Sequence, residues 1–144
     1  MTMRSDMAGA AVVLGIMRVL VQLQLPLNVS VVIAAAENGI GSQSFKLGDV
    51  YMSMEGLSVE IANTDAEGRL LLADAFTYAR RRLQPTEMID IATLTGAVVN
   101  ALGGAASGLF TDDDRLAELL WQAGELTGER LCRLPLYEEY EEEL

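Results

Sequence analysis

The chain has 144 residues, 51% of them apolar, and a net charge of −11 from 21 acids against 10 bases. So acidic a balance argues against nucleic acid, whose phosphates are bound by basic surfaces. There is no histidine and a single cysteine, Cys132, which excludes Ser-His-Asp catalysis, histidine zinc sites, a thiol-histidine pair and an internal disulfide; any metal here must be held by oxygen.

Residues 6–24 are apolar on all sides except at Arg18, Gln22 and Gln24, and predict a helix sunk into a domain, capped by Ser5 or Asp6 and stopped by Pro26. Its uncharged run from Met7 to Met17 has the length of a signal-peptide core, but Asp6 offsets Arg4, Arg18 interrupts it and no A-x-A site follows. It is also shorter than the roughly 20 residues of a membrane span. A cytoplasmic protein with no membrane partner is therefore expected.

"NVSVVIAAA" (28–36) is β-branched and continuously apolar, as is "EMIDIATL" (87–94), and both predict strands buried on two faces. Between them "ENGIGSQSFKLGD" (37–49) reads as a loop, and 50–63 as two short strands around a Glu55-Gly56 turn. Helical spacing runs from Leu70 through Ala73 and Arg80 to Leu83, and Pro85 closes that element. Gly103-Gly104 marks a break, and 113–127 is an amphipathic helix with "TDDD" at its positive end and Gly128 after its last turn. The tail "YEEYEEEL" predicts a solvated helix face whose continuation is missing. This order predicts an α/β fold, a mixed, largely parallel sheet flanked by helices, in one partial domain over 1–144, incomplete at both ends.

The stretch "NTDAEGRLLLADAF" (63–76) places Asp65, Glu67 and Arg69 at alternate positions with the small Ala66 and Gly68 between them. In extended chain, alternate side chains point the same way, so the three can face one point at a strand-to-helix edge, where α/β proteins bind ligands. Two carboxylates facing one point repel unless a cation joins them, and all-oxygen ligation suits magnesium, manganese or calcium, with zinc possible. Two other readings compete. Thr64 or Asp65 can simply cap a helix, and Asn63, Asp65, Glu67, Gly68 and Asp74 fall on positions 1, 3, 5, 6 and 12 of an EF-hand loop, which requires a helix before Asn63.

The same run, with "MRSDMAGAA" (3–11), "LPLNV" (25–29), "AAAEN" (34–38), "IDIATLTGA" (89–97), "GLF" (108–110) and "RLPLYEEY" (133–140), resembles the catalytic domain of the leucyl aminopeptidase family. The resemblance implies a peptidase that releases N-terminal residues, of leucine type, from peptides by means of two divalent ions, manganese or zinc. Asp65 and Glu67 resemble its metal ligands, Glu67 as the bridging one, and Asp6 a ligand of the second metal. Arg69 resembles the residue that holds a bicarbonate serving as general base, to which a guanidinium fork is suited. Thr93, Leu94 and Gly96 resemble substrate contacts, and Met3 part of the pocket for the first side chain. A homo-oligomer, hexameric in the family, is implied as well.

The family's further lysine and aspartate ligands, and its second lysine, have no counterpart here; Lys46 is the chain's lone lysine and aligns with none of them. The 144-residue chain alone is thus expected to bind metal weakly and turn over peptides slowly or not at all. A non-catalytic module of the same fold, kept for assembly, is the alternative.

Overall fold

A computed structural model describes residues 3–143, with side chains through residue 140. The chain forms two compact units, one ending at Leu94 and the other beginning at Thr95.

The first unit opens with α1 (Met3–Asp6) and α2 (Ala8–Leu23). The single helix expected over 6–24 is thus broken at Met7, which takes the N-cap position of α2 without a side-chain bond, so neither Ser5 nor Asp6 caps it. Gln24 ends α2 in the left-handed conformation, φ 51°, two residues before Pro26, whose ring disfavours helical backbone at Leu25. Gly9 is buried, and it allows the α2 backbone to lie directly on Ile91 and Ala92, since a Cβ there would overlap the Ile91 carbonyl. The rest of α2 differs from expectation. Leu14, Val19, Val21 and Leu23 are each at least half exposed, so this helix shows apolar side chains where burial was expected.

The runs 28–36 and 87–94 also depart from expectation: neither carries ladder hydrogen bonds, and both are largely exposed. Their composition marks segments suited to a sheet interior, but a ladder requires partner strands, and none among the described residues pairs with them.

The predicted hairpin is present. β1 (Val50–Met52) and β2 (Ser58–Glu60) pair antiparallel with Tyr51 opposite Val59, turning at Gly56 with φ 93°. Below the strands, Gly48 N–H donates to Ile61 O (2.9 Å) and Ile61 N–H to Asp49 O (2.8 Å), and Ile61 is buried. α3 (Glu67–Arg82) follows. Its Asp74 carboxylate accepts from the Tyr51 hydroxyl and, at 2.7 Å, from Met54 N–H, while Glu55 at the hairpin tip pairs with Arg80 (2.5 Å) and Arg81 (3.2 Å).

In the second unit α4 (Ala97–Leu102) stops at Gly103, whose φ of 66° and ψ of −151° belong to glycine. β3 (Ser107–Leu109) and β4 (Leu131–Arg133) pair in parallel, joined by α5 (Asp114–Thr127), since parallel neighbours need a crossover. Asp113 caps α5 by accepting from Leu116 N–H at 2.9 Å, and Gly128 closes it with φ 80°. Ala117 and Gly124 form its buried face. A 3₁₀ helix spans Glu138–Glu143, in the acidic tail where a solvated helix face was expected. The fold is α/β, small sheets flanked by helices; among the described residues parallel pairing is confined to β3 and β4, and each sheet has two strands.

Candidate metal centre

The acidic stretch lies on the loop between β2 and α3. A strand, not a helix, precedes Asn63, which removes the EF-hand reading. The helix-cap reading fails as well: Ala66 is the N-cap of α3 and no side chain bonds there. Instead the loop is held by an Asx turn, in which Asn63 Oδ1 accepts from Asp65 N–H at 2.9 Å. Asp65 itself is exposed and Glu67 half-buried.

The alternation argument holds only as far as the loop. Glu67 is the first residue of α3, so Glu67 and Arg69 are two positions apart in a helix, and such residues do not share a face. Arg69 is exposed in the first turn, on a different side of α3 from Glu67. The expectation that Asp65, Glu67 and Arg69 all face one point is corrected to this extent.

Asp6 is reached from another direction. It ends α1, and Thr93, 87 residues later, places its hydroxyl 2.7 Å from Asp6 O and 3.1 Å from Asp6 Oδ1. The adjacent residue, Leu94, sets a methyl group where a Cβ on Gly68 would stand 3.0 Å away. Consecutive Cα atoms are about 3.8 Å apart, so the end of the 87–94 segment brings the Asp6 turn and the Glu67-Gly68 turn into one neighbourhood. A side chain at Gly68 would ask the Leu94 methyl group to give way slightly.

Met3 begins α1 and is 74% exposed. Gly96 lies in the second unit, as the N-cap of α4.

Sequence reasoning did not reveal Asn38. Its Nδ2 group donates to Thr64 O at 2.8 Å and to Glu67 Oε2 at 3.0 Å, joining the 37–49 loop to the acidic stretch. Nothing local signals a contact between residues 29 positions apart.

The donors gathered here, carboxylates and an amide-supported loop, have the hardness that divalent cations favour. Their number is incomplete: among the described residues no group of three or more His, Cys, Asp or Glu side chains is arranged to hold an ion. The convergence of Asp6, Asp65 and Glu67 is one of chain segments, and their side chains do not form a closed shell.

An α/β chain with a carboxylate loop between a strand and a helix is a broad class. Comparison narrows it. The profile of the cytosol aminopeptidase family, catalytic domain, matches residues 1–144. A probable cytosol aminopeptidase of Chlamydia muridarum (strain MoPn / Nigg) is 57% identical over 143 residues, covering 99% of this chain and 29% of its own length. One from Chlamydia felis (strain Fe/C-56) is 55% identical over 144 residues, with 29% of its length covered. Among solved structures, a tomato leucine aminopeptidase mutant aligns with a TM-score of 0.88 at 43% identity, over 97% of this chain and 28% of that one. The bottromycin maturation enzyme BotP in complex with Mn aligns at 0.83 and 38% identity, over 99% of this chain and 32% of that one. The chain belongs to the cytosol aminopeptidase family, within the family's catalytic domain. It spans 29% of the length of these curated relatives.

Proposed function

We propose that these residues form part of the catalytic centre of a metal-dependent aminopeptidase that removes N-terminal residues from peptides, and that additional ligands complete the metal shell. The observation that carries this reading is the joint placement of Asp6 and the Glu67-Gly68 turn at Thr93 and Leu94. The manganese complex of a structurally similar enzyme supports a divalent ion, and manganese or zinc is the proposed occupant.

Asp65, Glu67 and Asp6 are the residues that would hold the two ions. When bound, such ions supply Lewis acidity towards a peptide carbonyl. Arg69, in the positive first turn of α3, is suited to hold a planar bicarbonate, which would supply a general base. Thr93 has its hydroxyl engaged by Asp6, so its backbone, with Leu94 and Met3, is what remains for the substrate in the first unit; Gly96 is proposed as a substrate contact on the family resemblance alone. The chain is proposed to act in the cytoplasm and as part of a homo-oligomer of the family's hexameric kind.

Titration of Mn2+ into the 144-residue protein, followed by the loss of the free-ion electron paramagnetic resonance signal, tests this reading. Weak uptake that disappears in Glu67→Gln, with slow, chelator-sensitive hydrolysis of a leucyl amide, is expected. Absence of uptake by the unaltered protein rejects it.

The exposed apolar side chains of α2 favour a second reading, an assembly module, because large apolar patches mark surfaces that other chains cover. Sedimentation equilibrium decides: metal-independent oligomers without peptidase activity are expected of such a module.

A further inference from the structure

Asn38 is exposed, lies outside the acidic stretch and uses both protons of its amide. One goes to Thr64 O at 2.8 Å and the other to Glu67 Oε2 at 3.0 Å. Both acceptors are oxygens, so only the amide nitrogen can face them; the reverse orientation would set Oδ1 against a carbonyl and a carboxylate. The two bonds bracket Asp65. On one side the Thr64 peptide is fixed, and on the other the Glu67 carboxylate is turned by one oxygen. The Asn63-Asp65 Asx turn locks the peptide between them.

A carboxylate in the first turn of a helix has rotational freedom about its side-chain bonds, and ordering it costs entropy each time it takes a ligand. A fixed amide donor removes part of that cost in advance, and partners of this kind orient metal ligands in general. We infer that Asn38 is a positioning residue of the metal centre: it holds Glu67 in one rotamer and Thr64-Asp65 in one backbone geometry before any ion arrives. The inference rests on the metal-dependent reading above and goes beyond it, because it assigns work to a residue that is neither ligand nor substrate contact.

The test compares Mn2+ binding by the 144-residue protein and its Asn38→Ala and Asn38→Gln variants, with circular dichroism to establish that all three are folded. Loss of an orienting partner typically weakens metal binding about 10-fold to 100-fold, so Asn38→Ala is expected to bind Mn2+ at least ~10-fold more weakly. Asn38→Gln, which keeps the donors on a longer arm, should recover part of that loss. A residue with a merely structural role would lower the thermal midpoint and leave the dissociation constant of the folded protein unchanged. Equal affinity in all three proteins overturns the positioning role and leaves the metal reading intact. No uptake by any of them rejects the metal reading, and the positioning role with it. A scalar coupling across the hydrogen bond from the Asn38 amide to the Thr64 carbonyl in the metal-free protein is a second expected result; its absence also overturns the role.

Discussion

Gly9 and Ile91 meet backbone to backbone: the α-carbon of one lies against the carbonyl group of the other, with no room for a single methyl between them. Both sides of this contact are main chain, so relief requires moving α2 as a whole. Overpacking of this sort typically costs about 1–3 kcal/mol, and more where the neighbours cannot yield. Gly9→Ala is accordingly expected to lower the urea midpoint well below that of Gly15→Ala, where nothing stands within contact of the added carbon. Equal midpoints for the two variants would show that α2 does not rest on Ile91.

Thr93 anchors Asp6 by its hydroxyl, and Thr93→Val removes that hydroxyl at nearly constant volume. Under the proposed function, the Asp6 carboxylate then loses its bond to the Thr93 hydroxyl and Mn2+ affinity falls by roughly 10-fold, while the hydrogen bond itself contributes only about 1 kcal/mol to folding. Calorimetric titration of metal and thermal melting, measured side by side, separate the two effects.

The hairpin is tied to α3 by Asp74, and this link predicts a pH dependence. The Tyr51 phenol is raised above its ordinary 10.0, first by its hydrogen bond to the Asp74 carboxylate, then by burial and by the charge of the same group. A raised folded pKa means that the stabilisation is complete below the unfolded value and fades as pH climbs through the folded one. Absorbance titration at alkaline pH should show Tyr51 ionising above its ordinary value. Asp74→Asn should return it towards its ordinary value and cost about 1 kcal/mol, given the solvent near the pair.

Glu55 is the opposite case. Its carboxyl lies below the ordinary range, chiefly through the hydrogen bond from Arg80, with burial opposing and the charges of Arg80 and Arg81 assisting. A depressed pKa contributes stability above the unfolded value of 4.5, lost as pH falls through the folded one. The pair is solvent-exposed, so the contribution is expected to vanish in about 1 M salt. Acid melts of Glu55→Gln at low and high salt check this.

Asp113→Ala removes the cap of α5 and is expected to cost about 1 kcal/mol, read as a lower urea midpoint. Asp112→Ala, which removes an acid but no capping bond, should change it less.

What the amino-acid sequence determined by itself was local. The limits of α5 followed from "TDDD" and Gly128, and those limits are observed within a residue or so. The Gly56 turn, the Gly103 break and the end of α3 before Pro85 are likewise decided within a few residues, because φ restrictions and capping bonds act over that range. The acidic stretch was legible too, since its residue types sit side by side.

Contacts between distant segments were left to the tertiary structure. Apolar, β-branched composition at 28–36 and 87–94 described what those runs are suited to, but whether they pair depends on partners elsewhere. The start of α3 at Glu67 turned Arg69 away from a line it would share in extended chain. Asn38, Thr93 and Gly9 have ordinary neighbours in sequence and acquire their roles only from Glu67, Asp6 and Ile91, each dozens of residues away. Hydrogen bonds and steric contacts of that span depend on how the chain returns upon itself, and residue type alone carries no record of which groups will meet.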